Sequence, residues 1–175
     1  MACDLTLGRK EPCKDSVGGI KEVYFVNFGD LGDITYDVTD TDLITAIAGT
    51  PSAYKYEVRG NSSFTTNIQS STETATTAFE QVVELTLKKL TKEDHKEVKL
   101  LAFGRPHMIV VDHNGNAFLA GLENGMEVTG GTIVTGAAMN ELSGYTLTLT
   151  GMEKAPANFL GDTVANVGFT EVVAV

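Results

Sequence analysis

The sequence predicts a mainly β protein with one α-helix and a long projecting hairpin. Residues 108–149 are short apolar or alternating runs separated by turn pairs, a pattern typical of consecutive antiparallel strands. Residues 79–89 form the longest alternating run, and residues 91–103 combine helical spacing with helix caps. Because the chain has 175 residues, 42% of them hydrophobic, we expect one domain over residues 20–175 that buries roughly 70% of its unfolded surface.

Residues 1–19 are predicted to be a mobile N-terminal arm that is ordered only by what it touches. Pro12 and Gly18-Gly19 interrupt regular structure there, and apolar residues are few. Cys3 and Cys13 form neither a disulfide framework nor a zinc site, so we predict that both are reduced packing residues. The arm has no apolar central region of the signal-peptide type, so we expect the protein to fold in a cytoplasm.

Four short strands are predicted between the arm and the longest run. Their residues are β-branched, aromatic or alternating, and the strands span residues 21–27, 34–38, 53–59 and 63–69. The sequence does not decide whether residues 41–48 form a helical turn or another structure. Leu43, Ile44 and Ile47 have helical spacing, but Gly49 and Pro51 would stop a helix soon after it began.

The long hairpin is predicted from two alternating runs that flank a polar segment. In residues 79–89, one face carries Phe79, Gln81, Val83, Leu85 and Leu87, and an extended strand of this length reaches roughly 35 Å. Residues 70–77 are polar and contain neither glycine nor proline. A hairpin of this kind suits pairing with a neighbouring molecule, although an ordinary long hairpin remains the alternative.

The helix is predicted over residues 91–103. Thr91 is a suitable N-cap with Asp94 three residues later, Lys99 suits the helix end, and Gly104 and Pro106 terminate it. Its apolar stripe is Leu90, Val98 and Leu101.

The final two predictions of structure concern the second half of the chain. Residues 108–149 are expected to be a meander whose turns lie at Asn114-Gly115, Asn124-Gly125, Gly130-Gly131 and Ser143-Gly144. Apolar residues near the C-terminus predict a closing strand that contains Val164, Val167, Phe169, Val172, Val173 and Val175.

Charge and composition exclude several classes of function. A net charge of −10 opposes wrapping a nucleic acid through phosphate contacts, but it does not oppose a surface past which nucleic acid slides. The uncharged stretches fall short of the roughly 20 apolar residues that a membrane span requires, so we expect no membrane insertion.

One motif resembles a calcium-binding loop. Asp112, Asn114, Asn116 and Glu123 match its positions 1, 3, 5 and 12. Ala117 stands where the sharp turn requires glycine, and Asn114-Gly115 between alternating runs is a strong hairpin signal. The hairpin interpretation is therefore favoured, and we expect no metal site.

No catalytic pattern stands out. His95, His107 and His113 share no metal-ligand spacing, and we predict three solvated histidines. The serines lack a Gly-x-Ser-x-Gly elbow, and the glycines form no phosphate-binding loop. We therefore expect neither an enzyme nor a cofactor.

Residues 111–160 resemble the C-terminal half of the tail tube proteins and related virion proteins of tailed bacteriophages. The resemblance is carried by NGMEVTGG at residues 124–131 and GYTLTLTG at residues 144–151. GRKEPCKDSVGG at residues 8–19 also resembles the start of structural proteins from phages of Bacteroidetes hosts.

The resemblance implies a β-sandwich or barrel of two packed antiparallel sheets, with a flanking helix and a projecting hairpin. It also implies a homo-oligomer: rings, hexameric in this family, that stack into a hollow tube for passage of genomic DNA. The partners would be tape-measure and terminator proteins, and the location would be the virion tail. In that setting the acidic charge would let DNA pass without binding.

The candidate inter-subunit contacts lie in the hairpin and the arm. They are Ser70, Ser71, Thr72, Glu73, Thr74, Ala75, Thr76, Thr77, Arg9, Lys10 and Pro12. Two other functions remain open: another virion component, such as a head–tail connector, tail terminator or capsid decoration protein, and a small β-sandwich ligand-binding module.

Overall fold

The fold is mainly β, as predicted: the computed structural model, which describes residues 5 and 7–174, has 46% strand and 9% helix. Its elements in chain order are β1 Ile20–Val26, β2 Ile34–Tyr36, β3 Leu43–Ile47, β4 Ser52–Glu57, β5 Ser63–Ser71, β6 Thr76–Lys88, α1 Lys92–Phe103, β7 His107–Asp112, β8 Ala117–Ala120, β9 Glu127–Val134, β10 Gly144–Glu153, β11 Asn158–Leu160, α2 Val164–Val167 and β12 Thr170–Val172.

The strands form two sheets, and among the described residues neither sheet closes into a barrel. The larger sheet has eight strands in the order β12-β4-β1-β7-β8-β11-β3-β2, and the smaller has four in the order β5-β6-β10-β9. All neighbours in the smaller sheet are antiparallel. The larger sheet is mixed, because β11 pairs with β3, and β12 with β4, in parallel. The expectation of purely antiparallel sheets therefore holds only for the smaller one.

The main core lies between the two sheets. Alternation places apolar side chains of β6 and β10 on one face of the smaller sheet, where they meet β1 and β7 of the larger sheet. Fully buried members include Val23, Met108, Val83, Tyr145 and Leu149. A second cluster occupies the other face of the larger sheet, where α2 and Phe169 cover Tyr24, Ile44, Ile109 and Leu119.

The helix α1 begins and ends as predicted. The Thr91 hydroxyl accepts a hydrogen bond from the Asp94 backbone N–H at 3.0 Å, and the Gly104 N–H donates to the Leu100 and Leu101 carbonyls. Val98 is buried and Leu90 and Leu101 pack on the main core, which confirms the apolar stripe. The prediction for Lys99 was wrong, because the last turn of the helix contains no basic residue.

Residues 108–149 do not form one meander. β7 and β8 pair in the larger sheet, whereas β9 and β10 pair in the smaller sheet. The bend at residues 121–125 carries the chain from one sheet to the other. Gly130-Gly131 was predicted as a turn but lies inside β9, beside a register shift opposite Thr148 and Leu149. A glycine pair can mark a bulge as well as a turn, and here it marks the bulge.

Two other segments differ from or complete the sequence predictions. Residues 41–48, left open, contain strand β3, which pairs with β2 and β11. The predicted closing strand was wrong at Val164 and Val167, which lie in α2. Thr163 caps this helix and Gly168 ends it with a φ of +119°. Only residues 170–172 form a strand there, and Val175 lies outside the described residues.

The described part of the N-terminal arm has neither helix nor strand before Ile20, and residues 7–19 are all exposed. Cys13 is an exposed free thiol, so the prediction that it packs was wrong. Cys3 lies outside the described residues. The arm is fixed at one point: the Val17 N–H donates to Asn114 Oδ1 at 2.9 Å, and Asn114 Nδ2 donates to the Val17 carbonyl at 2.7 Å.

Candidate assembly surfaces

The predicted hairpin is β5 and β6, which pair from Ser63 opposite Glu84 to Ser71 opposite Thr76. The turn comprises only residues 72–75, and Ala75 adopts a positive φ of +51°. The candidate contacts Ser70, Ser71, Thr76 and Thr77 therefore belong to strands, and the turn is shorter than the polar segment of residues 70–77 that was expected to separate the two runs. The hydroxyls of Ser70 and Thr77 lie 3.1 Å apart across the hairpin, so the tip is held by its own hydrogen bonds.

The hairpin projects past its neighbour by a short distance. β10 pairs with β6 only as far as Phe79, so Thr76, Thr77 and Ala78 and their β5 partners continue alone. Three residue pairs extend roughly 10 Å. This extension and its turn bring together the eight hairpin residues predicted as contacts. In the described part of the chain, no hydrogen bond or ion pair joins them to Arg9, Lys10 or Pro12 of the arm.

Both edges of the smaller sheet are open among the described residues. β5 pairs only with β6, and β9 pairs only with β10. An open edge presents backbone N–H and C=O groups that can pair with another strand. Because each neighbouring pair is antiparallel, the directions alternate across four strands, and β5 and β9 run in opposite directions.

Each open edge carries an exposed apolar side chain on the face that packs toward the core. Ile68 of β5 lies opposite Phe79 and is 69% exposed. Ile133 of β9 lies opposite the buried Tyr145 and is 53% exposed. The larger sheet does not cover these two ends, so both isoleucines overhang the core. Alternation along residues 63–69 places Ile68 on one face with Phe64 and Thr66, but it carries no information on whether a second sheet reaches that far.

An aromatic cluster lies beside the β5 edge. The Phe118 ring centroid is 5.8 Å from that of Phe64 and 4.7 Å from that of Phe159. Phe159 remains 45% exposed. The three residues come from β5, β8 and β11, so they are distant in sequence and meet only because the two sheets pack together. No sequence signal indicated this cluster.

The outward face of the smaller sheet is polar. Thr146, Thr148 and Thr150 of β10 alternate with the buried Leu147 and Leu149, as the Thr-rich pattern indicates. On the same face, Glu80 accepts hydrogen bonds from Asn67 Nδ2 at 3.2 Å and from Gln69 Nε2 at 3.3 Å. The face is rich in hydroxyl, amide and carboxylate groups, and such a surface neither attracts phosphate nor packs against an apolar partner.

His107 is buried, so the prediction of a solvated histidine was wrong for this residue. Its Nε2 accepts the Gly29 N–H at 3.3 Å, which places the proton on Nδ1, and that group donates to the Gly121 carbonyl at 2.6 Å. The ring also stacks on Phe28 at 5.0 Å. Burial lowers the pKa of His107 below its ordinary value of 6.5, although its hydrogen bond to Gly121 opposes the shift. His95 and His113 are exposed, as predicted.

The Asp112 segment is a hairpin turn, as favoured by the sequence. Asp112 Oδ1 accepts the N–H groups of Asn114 at 2.9 Å and Asn116 at 2.8 Å. Burial raises the pKa of Asp112, but these hydrogen bonds and those from the two amide side chains outweigh it, so the pKa lies below 3.8. Glu123 instead pairs with Lys154 at 2.9 Å. Within the described residues, no group of three potential metal ligands occurs.

One other polar cluster joins the edge strand β12 to the larger sheet. The Tyr24 hydroxyl lies 3.2 Å from Glu22 Oε1 and 3.5 Å from Glu171 Oε1, and Lys55 Nζ is 2.8 Å from Glu22 Oε2. Burial, followed by the charges of Glu22 and Glu171, raises the pKa of Tyr24 to about 12. The tyrosine therefore stays protonated and donates to the carboxylates. Its hydroxyl helps to hold strand β12 on the sheet and is not suited to proton transfer.

Comparison with known proteins identifies no relative: the chain matches no protein family, no curated protein and no solved structure. None of the helices in the described part of the chain is long and apolar enough to cross a membrane.

Proposed function

We propose that this protein is the structural subunit of a phage tail tube, repeated around an axis in rings that stack into a conduit for DNA. The observation that carries the proposal is the four-stranded antiparallel sheet, which is open at both edges and has edge strands of opposite direction. The sequence resemblance at residues 111–160 supports the same function. Location in a virion tail belongs to the same proposal.

The strand directions make head-to-tail repetition compatible with antiparallel pairing. When copies stand side by side in the same orientation, β9 of one copy meets β5 of the next, and these strands run in opposite directions. An even number of alternating strands therefore lets one sheet continue through many copies without a parallel junction. Such a heterologous contact closes into a ring when the rotation between copies divides a full turn.

The side chains at the two edges suit this contact. Pairing β9 with β5 would cover both Ile133 and Ile68, which are exposed in the single chain, but at opposite ends of the junction. Ile133 lies level with Leu87 of β6 and Ile68 with Phe79, a separation of roughly 26 Å along the strands. Burying each isoleucine removes apolar surface from water, which is worth about 25 cal/mol per Å². Phe159 and the fully exposed Met139 of the β9–β10 loop add to the apolar surface at the two edges.

The polar outward face suits a conduit. In a ring built by edge pairing, one face of the continuous sheet looks toward the axis and the other packs on the larger sheets. The axis-facing side would carry the threonines of β10 together with Glu80 and Glu84. The face combines glutamate carboxylates with uncharged threonine hydroxyls. DNA would therefore pass it without forming the phosphate contacts that would retain it.

Electron microscopy of the concentrated protein tests the proposal. We expect stacked rings or hollow tubes, and a strictly monomeric protein at all concentrations would contradict the proposal. Single rings that never stack would instead favour a connector or terminator.

Substitutions at the two edges test the contact itself. We expect Ile68→Asp or Ile133→Asp to raise the concentration needed for assembly at least tenfold, because each would bury an unpaired charge at the junction. The free energy of unfolding of the monomer should change by no more than about 0.5 kcal/mol, since both side chains are exposed. Val38→Asp is the matched control: Val38 is 99% exposed and lies outside both edges. If all three variants assembled alike, edge pairing would be excluded.

A further inference from the structure

A groove runs between α1 and the edge of the larger sheet. Tyr54 and Tyr56 of β4 form its floor, Glu97 and Leu100 of α1 form one side, and Val172 and Val173 lie at one end. Its apolar side chains are only partly covered: Tyr54 is 39% exposed, Leu100 56% and Val173 59%. The groove is therefore an elongated apolar surface that the chain itself leaves open.

The groove also carries negative charge. Glu93, Asp94 and Glu97 stand on the α1 side and Glu57 on the β4 side. Two basic residues, Lys88 and Arg105, also line the groove, and the Arg105 guanidinium lies over the Phe28 ring at 3.9 Å. Lys55, which also lines the groove, is already paired with Glu22 at 2.8 Å. Burial, and then the charges of Glu97 and Asp94, raise the pKa of Tyr56 to about 12. A segment that fits this groove should combine apolar side chains with positive charge.

The N-terminal arm has this composition. Leu5 and Leu7 are 98% and 91% exposed. Residues 7–14 carry Arg9, Lys10 and Lys14 against Glu11 alone, so this part of the arm is positive in a chain of net charge −10, although Asp4 and Asp15 balance the charge over residues 1–19. The arm is attached to the fold at Val17, through Asn114, and the 12 residues from there to Leu5 reach roughly 40 Å when extended.

We propose that the groove binds the N-terminal arm of a second copy of this chain. Leu5 and Leu7 lie against Tyr54, Tyr56 and Leu100, and Arg9 and Lys10 pair with the carboxylates of α1. The proposal rests on the proposed function, since it takes the second copy from the assembly, and it names the surface that the arm contacts there. The apolar contact supplies affinity, and the charges set the orientation of the arm.

Disulfide cross-linking between two different variants tests the contact. Both lack the natural thiols through Cys3→Ser and Cys13→Ser. One carries Gly8→Cys, between Leu7 and Arg9, and the other, which bears an affinity tag, carries Leu100→Cys. A cross-link between them joins arm and groove of different copies. We expect it to form at least tenfold faster than the cross-link between Gly8→Cys and the matched control Val38→Cys.

Charge reversal tests the specificity of the same contact. Glu93→Lys with Glu97→Lys should slow the cross-link at least tenfold, and so should Arg9→Glu with Lys10→Glu in the arm. Combining the two pairs should restore the rate, because the opposite charges then face each other again. Equal rates in all combinations would overturn the proposal. A chain that carries both Gly8→Cys and Leu100→Cys and closes on itself at high dilution, faster than it links to another copy, would also overturn it.

A peptide separates this inference from the proposed function. A fluorescent peptide of residues 1–19 should bind the full chain, and the pair Glu93→Lys and Glu97→Lys should weaken its binding at least tenfold. If tubes form but neither the peptide binds nor the cross-link appears, the inference falls and the tube function stands. If the peptide binds through the groove but no assembly forms at any concentration, the tube function falls and the arm–groove contact stands.

Discussion

At the scale of single residues, the imidazole of His107 joins two loops at one end of the larger sheet. Its Nε2 accepts a hydrogen bond from the Gly29 N–H in the β1–β2 loop. Its Nδ1–H donates to the carbonyl of Gly121, where the chain crosses to the smaller sheet. The Gly121 N–H is in turn held by Gln81 Oε1 of the smaller sheet at 2.9 Å. Only neutral imidazole can accept and donate in this way, so protonation breaks the bond to Gly29.

The pH dependence of stability follows from the lowered pKa of His107. Well above pH 6.5 the histidine is neutral in the folded and unfolded chains, and its contribution to stability is complete. As pH falls, the unfolded chain binds the proton first, so the free energy of unfolding decreases by up to about 1.4 kcal/mol per pH unit until the folded pKa is passed. Urea unfolding between pH 8 and pH 5 measures this slope. We expect His107→Gln to flatten it.

Two exposed histidines provide the controls for that measurement. His95→Gln and His113→Gln are the matched controls, because each removes an exposed imidazole and leaves the hydrogen bonds of His107 intact. An unchanged slope in His107→Gln would show that this histidine is not the group responsible.

At the scale of elements, strand β9 requires glycine at position 131 but not at the neighbouring position 130. A Cβ on Gly131 would lie 2.4 Å from the Thr146 carbonyl oxygen and 3.2 Å from Leu147 Cδ2, because β10 approaches β9 closely at the Gly131–Leu147 pair. A Cβ on Gly130 would meet nothing within 4 Å. The close pairing of β9 with β10 therefore depends on Gly131, and the open edge that we propose for assembly lies directly beside it.

Alanine substitutions at this pair should have different effects. We expect Gly131→Ala to lower the free energy of unfolding by about 1–3 kcal/mol, as overpacking does, since the contact is with backbone that cannot rotate away. Gly130→Ala should change it by about 0.5 kcal/mol or less. Urea unfolding of the two variants measures the difference. Equal destabilisation would mean that general strand flexibility, and not the close approach at Gly131, requires the glycines.

At the scale of the whole molecule, charge opposes the assembly that the open edges favour. Each copy has a net charge of −10, so neighbouring copies repel, whereas backbone pairing and apolar burial at β5 and β9 attract. Salt screens the repulsion: the Debye length falls from about 30 Å at 0.01 M to about 10 Å at 0.1 M. The attractive contacts are short-ranged and change little over that interval.

Assembly should therefore increase with salt. We expect sedimentation to show a larger assembled fraction at about 0.1 M than at about 0.01 M sodium chloride, at constant protein concentration. Sucrose at matched osmolality is the control for solvent effects. A fall in assembly with added salt would mean that ion pairs between copies, such as those of arm and groove, outweigh the overall repulsion.

Local patterns were sufficient for most strands and turns and for the capped helix. The Asn114-Gly115 hairpin, the alternation of β6 and the Thr91 cap depend on residues within a few positions of one another, so they are legible in the sequence. The polar hairpin was also correct in kind, but its turn is shorter than predicted because side-chain pairs such as Ser70 with Thr77 extend the strands.

The sequence by itself determined a mainly β chain with a capped helix and a long polar-tipped hairpin, because backbone geometry and side-chain alternation act over neighbouring residues. Only the tertiary structure decided which strands share a sheet, that residues 41–48 contain a strand and residues 164–167 a helix, and that His107 is buried. It also decided that Ile68 and Ile133 are left uncovered at two open edges. These features depend on contacts between residues far apart in the chain, and no local pattern encodes where a second sheet ends.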